Sequence, residues 1–407
     1  LDVKVLGVSS GLALDTIDCA IVHYRQATLD SPLHMKLIQH DEAPVLASVR
    51  MPILNLLLKF KASPYSMGQI NELAGQMFST AIKSFLDKHE IPPSTIDITS
   101  AQADALPPLG TRGKDGSGSQ YPGWGTVIAR DTAMTTVIDF RMPHHQQNRQ
   151  RHALVELTTG TLLRHPVHLR ACLNIDHIAN LCFVRPASNG AAMASDCGPG
   201  TMFIDYAMRY CTSNQLQNDH DGTWGAQGTS NDSVVNHFMQ SHDYFNRAPP
   251  ARMVAEMFGE HEAQALIDEC LFRNMSDRDI VATMTRITAA NLVRQLKKWI
   301  AALNAPAPAQ KIELFLCGAG ARNPHIVDYL TAHTADIVAM QSWEDIGIRS
   351  GAKKAVCAAQ LGLEALLDAA VRERGERPTA ARPGRVEGSI AKAKRWDEAV
   401  EKVVRFG

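Results

Sequence analysis

Val3-Lys4-Val5-Leu6-Gly7-Val8-Ser9-Ser10-Gly11, followed by Ile17-Asp18-Cys19-Ala20-Ile21-Val22-His23-Tyr24, is the stretch from which the fold is read. The first segment alternates toward a glycine turn and the second is rich in β-branched and aromatic residues, so the pair predicts a strand, a tight turn and a second strand. Working outward, Ser66–His89 places Ile70, Leu73, Ala74, Met77, Ala81, Ile82 and Phe85 at i, i+3, i+4 spacing, and Pro92-Pro93 closes the predicted helix. Strands are predicted at 96–98, 136–140, 171–175, 178–184, 201–205, 313–317 and 337–340, with helices at 279–302, 324–332 and 351–367. Strands alternating with helices indicate an α/β fold.

The chain has 407 residues, enough for two domains or three. Its 41 Lys+Arg against 42 Asp+Glu give a formal net charge of −1, which supplies no electrostatic reason to expect nucleic acid or an anionic membrane as partner. Eight cysteines without a CxxC pair read as reduced thiols in a reducing compartment, and no leader pattern or long apolar run is present, so the expected location is the cytoplasm. The segment 107–125, rich in Gly, Pro and Ser, is expected to be a flexible loop, and 372–385 a mobile connector.

Three glycine turns follow strands: Gly7–Gly11, Asp196-Cys197-Gly198-Pro199-Gly200 and Cys317-Gly318-Ala319-Gly320-Ala321. Such turns aim several backbone N–H groups at one point and suit phosphate oxygens, although glycine is also needed there for backbone reasons alone. His144, His145, His152 and His177 have no zinc-ligand spacing, and no metal site is expected.

With Asp139-Phe140-Arg141, Asn174-Ile175, Asp219-His220-Asp221-Gly222, Pro249-Pro250, Cys317 to Pro324 and Gly351-Ala352-Lys353-Lys354-Ala355 added, the chain resembles the anhydro-sugar kinases. That family includes anhydro-N-acetylmuramic acid kinase and fungal levoglucosan kinase. The resemblance implies a two-domain actin/hexokinase-type (ASKHA) α/β kinase fold, ATP·Mg²⁺ and a bicyclic sugar in an interdomain cleft, and an aspartate base activating the water that opens the 1,6-anhydro ring as O6 takes the γ-phosphate. It places one domain at 1–136 plus about 345–407 and the other at 137–344. Pairing into a homodimer is a further expectation from the family.

Compared motif by motif, this sequence departs from the family. Ser-Gly-Thr-Ser-x-Asp-Gly is here Ser10-Gly11-Leu12-Ala13-Leu14-Asp15-Thr16. His-Gly-Gln-Thr is Ser100-Ala101-Gln102-Ala103, and the catalytic aspartate after Asp139-Phe140-Arg141 is His144 in register. Asn-Ile-Gly-Gly is Asn174-Ile175-Asp176-His177, and Asp-x-x-Glu-Ala is Gly351-Ala352-Lys353-Lys354-Ala355. A lysine where a carboxylate would sit reverses the local charge and opposes Mg²⁺.

Summed, these changes would reduce phosphoryl transfer by more than about 10⁴-fold. The expectation from sequence is therefore a degenerate kinase, a pseudokinase in the phosphotransfer sense. Its cleft, made apolar by Leu12, Ala13, Ala103, Met253 and Val254, would take a small apolar organic molecule without any cofactor, as a cyclase or isomerase of fungal secondary metabolism. His144, Arg141, Gln102 and Gln150 would be its hydrogen-bonding, catalytic groups. Gly11, Asp15, Asp196, Gly198, Gly200, Gly318, Gly320 and Asn323 would be a vestigial nucleotide site. The alternatives are a residual ATP- and Mg-dependent levoglucosan or 1,6-anhydro-sugar kinase, and a non-catalytic scaffold or regulator.

Overall fold

The computed structural model describes residues 1–11, 13–28, 31, 33–58, 64–106, 123–142, 150–186, 192–249, 258–303, 311–373 and 386–406. Eleven strands run through them: β1 (Asp2–Ser10), β2 (Thr16–Arg25), β3 (His34–Pro44), β4 (Ile98–Ala103), β5 (Thr136–Arg141), β6 (Arg170–Ile175), β7 (Ile178–Val184), β8 (Ala192–Pro199), β9 (Ile312–Cys317), β10 (Val338–Gln341) and β11 (Glu387–Ala391). They form a six-stranded sheet, β11-β5-β4-β1-β2-β3, and a five-stranded sheet, β10-β9-β6-β7-β8.

The two sheets share one plan. In each, three strands form an antiparallel meander (β1-β2-β3, β6-β7-β8), and two more then add in parallel on the other side of the first strand (β4-β5, β9-β10). The chain divides into two compact units, Leu1–Leu154 with Gly347–Gly407, and Val155–Ile346. This doubled topology is that of the actin/hexokinase-type kinase fold. The first unit runs past residue 136 because β5 pairs in parallel with β4, with Thr136 opposite Thr99, and so belongs to the first sheet rather than opening the second.

In the first unit, β1 is buried along almost its whole length, as a central strand covered on both faces must be. Leu6 and Val8 join a core with Ile70, Phe78 and Ile82 of the helix Pro64–Lys88 and with Trp124 and Ile128 of the helix Trp124–Thr132. The opposite face is covered by the helix Lys353–Glu373, which crosses at Gly7: a Cβ built there would lie 1.9 Å from the Ala355 carbonyl oxygen. In the second unit the helix Asp277–Ala302 starts at a capping box between Ser276 and Asp279 and buries Ile280, Met284, Ile287 and Leu292 against the second sheet's core.

Several elements differ from the sequence expectation: β8 and β11 are unannounced. The expected connector 372–385 begins within the helix Lys353–Glu373, and the expected loop 107–125 ends within the helix Trp124–Thr132, while 374–385 and 107–122 lie outside the described residues. Thr201–Asp205, expected as a strand, begins the helix Met202–Cys211, in which Met202, Phe203, Ile204, Ala207 and Met208 are buried. A short apolar run fits either period, and here Gly200 has already ended β8. β3, which the sequence does not announce, is an edge strand whose residues are nowhere fully buried, so its polar composition hides it. Among the described residues, no helix is long and apolar enough to cross a membrane.

Candidate functional site

The carboxyl ends of parallel strands are where α/β sheets gather ligand groups, because the turns there open outward. In the first unit β1, β4 and β5 all end on the same side. Ser9 pairs laterally with Asp18 of β2 and with Gln102 of β4, so the register lines up Gln102, Ser9 and Asp18 in one row across three strands. Beyond it lies the turn 11–15. The Ser10 hydroxyl donates to the Thr16 carbonyl oxygen at 2.7 Å, closing the hairpin.

At β5, Arg141 donates to Asp139 at 2.9 Å. Asp139 holds φ at +55°, and the pairing with β11 shifts register between Glu387 and Ser389, which oppose Arg141 and Ile138. A bulge that re-aims a side chain at a strand end, with a non-glycine residue in the left-handed region, costs energy that a plain strand would not spend. Burial pushes the Asp139 carboxyl up from its usual range, and the Arg141 guanidinium pulls it back.

The glycines separate into two kinds. A Cβ built on Gly200 would sit 1.9 Å from the Asp176 carbonyl oxygen, and one on Gly320 2.4 Å from the Ile175 side chain. Gly198 and Gly318 adopt φ of +90° and +89° and are likewise hemmed in, by Tyr244 and Asn291 and by the Ile175 backbone. These four are required by the packing of the second unit itself. Gly11 differs: its Cβ would meet nothing nearer than the Lys354 ammonium, at 3.9 Å. This turn can admit the oxygens of a ligand, and the first turn of the helix Lys353–Glu373 brings a cation to it.

The other candidates are distributed as follows. Asp15 is exposed. Asp196 is buried on β8, and its carbonyl oxygen accepts from the Tyr244 hydroxyl at 3.0 Å. Asn323 caps the helix Pro324–Thr334 by accepting from the His325 N–H at 3.0 Å. His144 lies outside the described residues, and so does the Gln150 side chain, although Gln150 opens the helix Gln150–Leu162. Thus Gly11, Gln102 and Arg141 share the strand ends of the first unit, while Asp196, Gly198, Gly200, Gly318, Gly320 and Asn323 belong to the second.

Of the five residues expected to line an apolar pocket, the two described ones do not form one. Leu12, Met253 and Val254 lie outside the described residues; Ala13 is exposed, and Ala103 packs against the first unit's core. Leu14 is fully buried. The apolar character of Ala103 and Ala13 thus serves the core or faces water rather than forming a greasy cavity.

One group was noted in the sequence without its partner, and one was missed. Asp176 accepts from Asn174 at 2.9 Å and from the Ala319 N–H at 3.3 Å, so a carboxylate of the chain itself occupies a donor of the Gly318 turn. The sequence showed the substitution, and only the chain path brought it to that turn. A cavity of about 380 Å³ in the second unit is lined by Gly225, Thr229, Thr285, Arg286, His325 and Tyr329, among others, with the Arg286 guanidinium 4.5 Å from the Tyr329 ring centre. Its residues come from three separate segments, and no local motif marks them.

The anhydro-N-acetylmuramic acid kinase family description matches residues 3–390. The anhydro-N-acetylmuramic acid kinase of a Cyanothece species is 29% identical over 88% of this chain and 92% of its own length. That of Caldanaerobacter subterraneus is 27% identical over 89% and 90%. Among solved structures, component A of the Acidaminococcus fermentans (R)-2-hydroxyglutaryl-CoA dehydratase aligns at 12% identity with a TM-score of 0.43, covering 88% of this chain and 96% of that one. Relatives named as kinases over nearly the full length overturn the expectation of a cofactor-free cyclase, isomerase or pseudokinase scaffold in fungal secondary metabolism. The expectation that no cofactor is required falls with it, because a kinase needs a phosphoryl donor. Matched from residue 3 to residue 390, through both sheets, the chain belongs to the anhydro-N-acetylmuramic acid kinase family.

Proposed function

We propose that the protein is an ATP- and Mg²⁺-dependent kinase of a 1,6-anhydro sugar, a soluble small molecule. The observation that carries the reading is the family match, which spans both α/β units rather than one of them. The open turn at Gly11, with the Lys354 ammonium beside it, fits a phosphate group: there is space for oxygens and a cation to meet them. ATP·Mg²⁺ would supply the phosphoryl group.

The chain's own residues then have these roles. The Ser10-Gly11 backbone and Lys354 hold phosphate oxygens, and Gln102, in the row with Ser9, offers an amide to a sugar hydroxyl. Asp139 orients Arg141 at the end of β5 toward charge that develops on the transferred group. His144, in register with the family's catalytic aspartate, takes the proton from the attacking water; an imidazole is suited to that near pH 7. Within the second unit, the turns at Gly198 and Gly318 are stiffened by their own packing.

The test is direct. Purified protein incubated with ATP, Mg²⁺ and either 1,6-anhydro-N-acetylmuramic acid or levoglucosan should release ADP and yield a 6-phosphorylated sugar seen by mass spectrometry. ADP release that is independent of sugar, or none with either sugar, would reject the reading.

Asp176 supplies a second expectation. Its carboxylate faces an N–H of the Gly318 turn, where it repels an approaching phosphate. Asp176→Gly, which restores the family residue, should tighten nucleotide binding about tenfold, the order expected for removing one like charge at close range. Isothermal titration with a non-hydrolysable ATP analogue reads this, and unchanged affinity would show that phosphate does not come near this turn.

A further inference from the structure

Asp18, His40 and Glu42 place one ligand atom each within 4.8 Å of the other two. The register is the cause. Asp18 of β2 stands directly opposite Glu42 of β3, and His40 lies two residues before Glu42, so all three side chains share one face of the sheet. Two carboxylates directly opposite each other repel, and a bridging cation would turn that repulsion into a clamp. The His40 Nε2 is enclosed and has no hydrogen-bond partner. A ring nitrogen without a partner is the kind of donor that ligates metals.

A third observation concerns space. A Cβ built on Gly351 would lie 2.7 Å from Glu42 Oε1 and 3.3 Å from His40 Cε1. Gly351 stands where the family carries the aspartate of Asp-x-x-Glu-Ala, so loss of that side chain leaves room for His40 and Glu42 to converge. Arg349 is near enough to act on His40 against a cation. Glu42 and Asp41 act on His40 in the opposite sense, in favour of a cation.

We propose that Asp18, His40 and Glu42 form a site for a divalent first-row transition ion of the Zn²⁺ and Co²⁺ class, which clips the edge strand β3 to β2. One imidazole with two carboxylates suits such ions, whereas Mg²⁺ takes oxygen ligands and releases its water reluctantly. The site does not depend on the kinase reading, and it is tested without nucleotide or sugar.

The full chain, stripped with a chelator, is titrated with Co²⁺, and the visible d–d absorption is followed. Saturation at about one ion per chain, reversed by Zn²⁺ and not by Mg²⁺, is the expected result. Binding should weaken by at least about 10–100-fold in His40→Ala and in Asp18→Asn, since losing a ligand costs no less than losing its outer partner. Glu42→Gln, at an exposed position, is the variant least able to disturb folding and should show the same loss. Absence of a cobalt spectrum in the folded wild type overturns the proposal, as does a spectrum that persists unchanged in the folded variants.

Discussion

Lys354→Ala is expected to lower kcat/KM for ATP about 10²-fold, the cost of removing one preorganised charge from a developing phosphate. The reason is local. Lys354 lies in the first turn of the helix Lys353–Glu373, where the helix dipole already favours anions, and its ammonium is the nearest group to the open side of Gly11. The decisive variant is Lys354→Glu, which restores the residue type of the family pattern. If the lysine serves phosphate, this variant is weaker still than Lys354→Ala, and Lys354→Arg recovers part of the loss in KM. If the lysine is merely a lesion in an inherited site, Lys354→Glu gains turnover, and the role assigned here is wrong.

Gly7→Ala is expected to destabilise the first unit by about 3 kcal/mol, at the upper end of overpacking costs. The added Cβ would lie 1.9 Å from the Ala355 carbonyl oxygen, 2.7 Å from the Ala359 nitrogen and 2.9 Å from the Ala359 Cβ. Backbone atoms cannot rotate away as a side chain can, so the helix Lys353–Glu373 must lift off β1. That would also carry Lys354 from the Gly11 turn, so nucleotide affinity should fall together with stability. Gly68→Ala is the control: it sits in the helix Pro64–Lys88 with nothing within 4 Å of the new Cβ, and should stabilise by about 0.5–1 kcal/mol. Urea unfolding followed by circular dichroism reads both, and a loss at Gly7 no larger than that gain would show that the contact is loose.

How far the site could be read ahead of the structure depends on whether its residues are neighbours along the chain. Asp139-Phe140-Arg141 was recognised as a motif, and it proved to be a bulged strand end with Asp139 at positive φ. The bulge is set by pairing with β11, which lies about 250 residues later in the sequence. Gly198, Gly200, Gly318 and Gly320 stood out equally, yet their reason lies in the approach of Tyr244, Asp176 and Ile175. Nothing within a glycine turn says whether a ligand or the protein's own backbone fills the adjacent space. Reading apolar replacements as a pocket failed for the same reason: Ala103 packs on the core and Ala13 is exposed, and residue type does not specify which way a turn points.

Alternating apolar strands, amphipathic helices and glycine punctuation were sufficient to establish an α/β chain of the anhydro-sugar kinase kind, since short-range periodicity and family motifs are properties of contiguous residues. The repetition of one sheet plan in both units left no trace as a sequence repeat, because topology constrains hydrogen-bond partners and burial but not residue identity. Tertiary structure alone decided that Lys354 reaches Gly11, that Asp176 caps the Gly318 turn, and that Asp18, His40 and Glu42 converge. Each of these depends on which strands and helices lie side by side, which the core fixes through contacts between residues far apart in the chain.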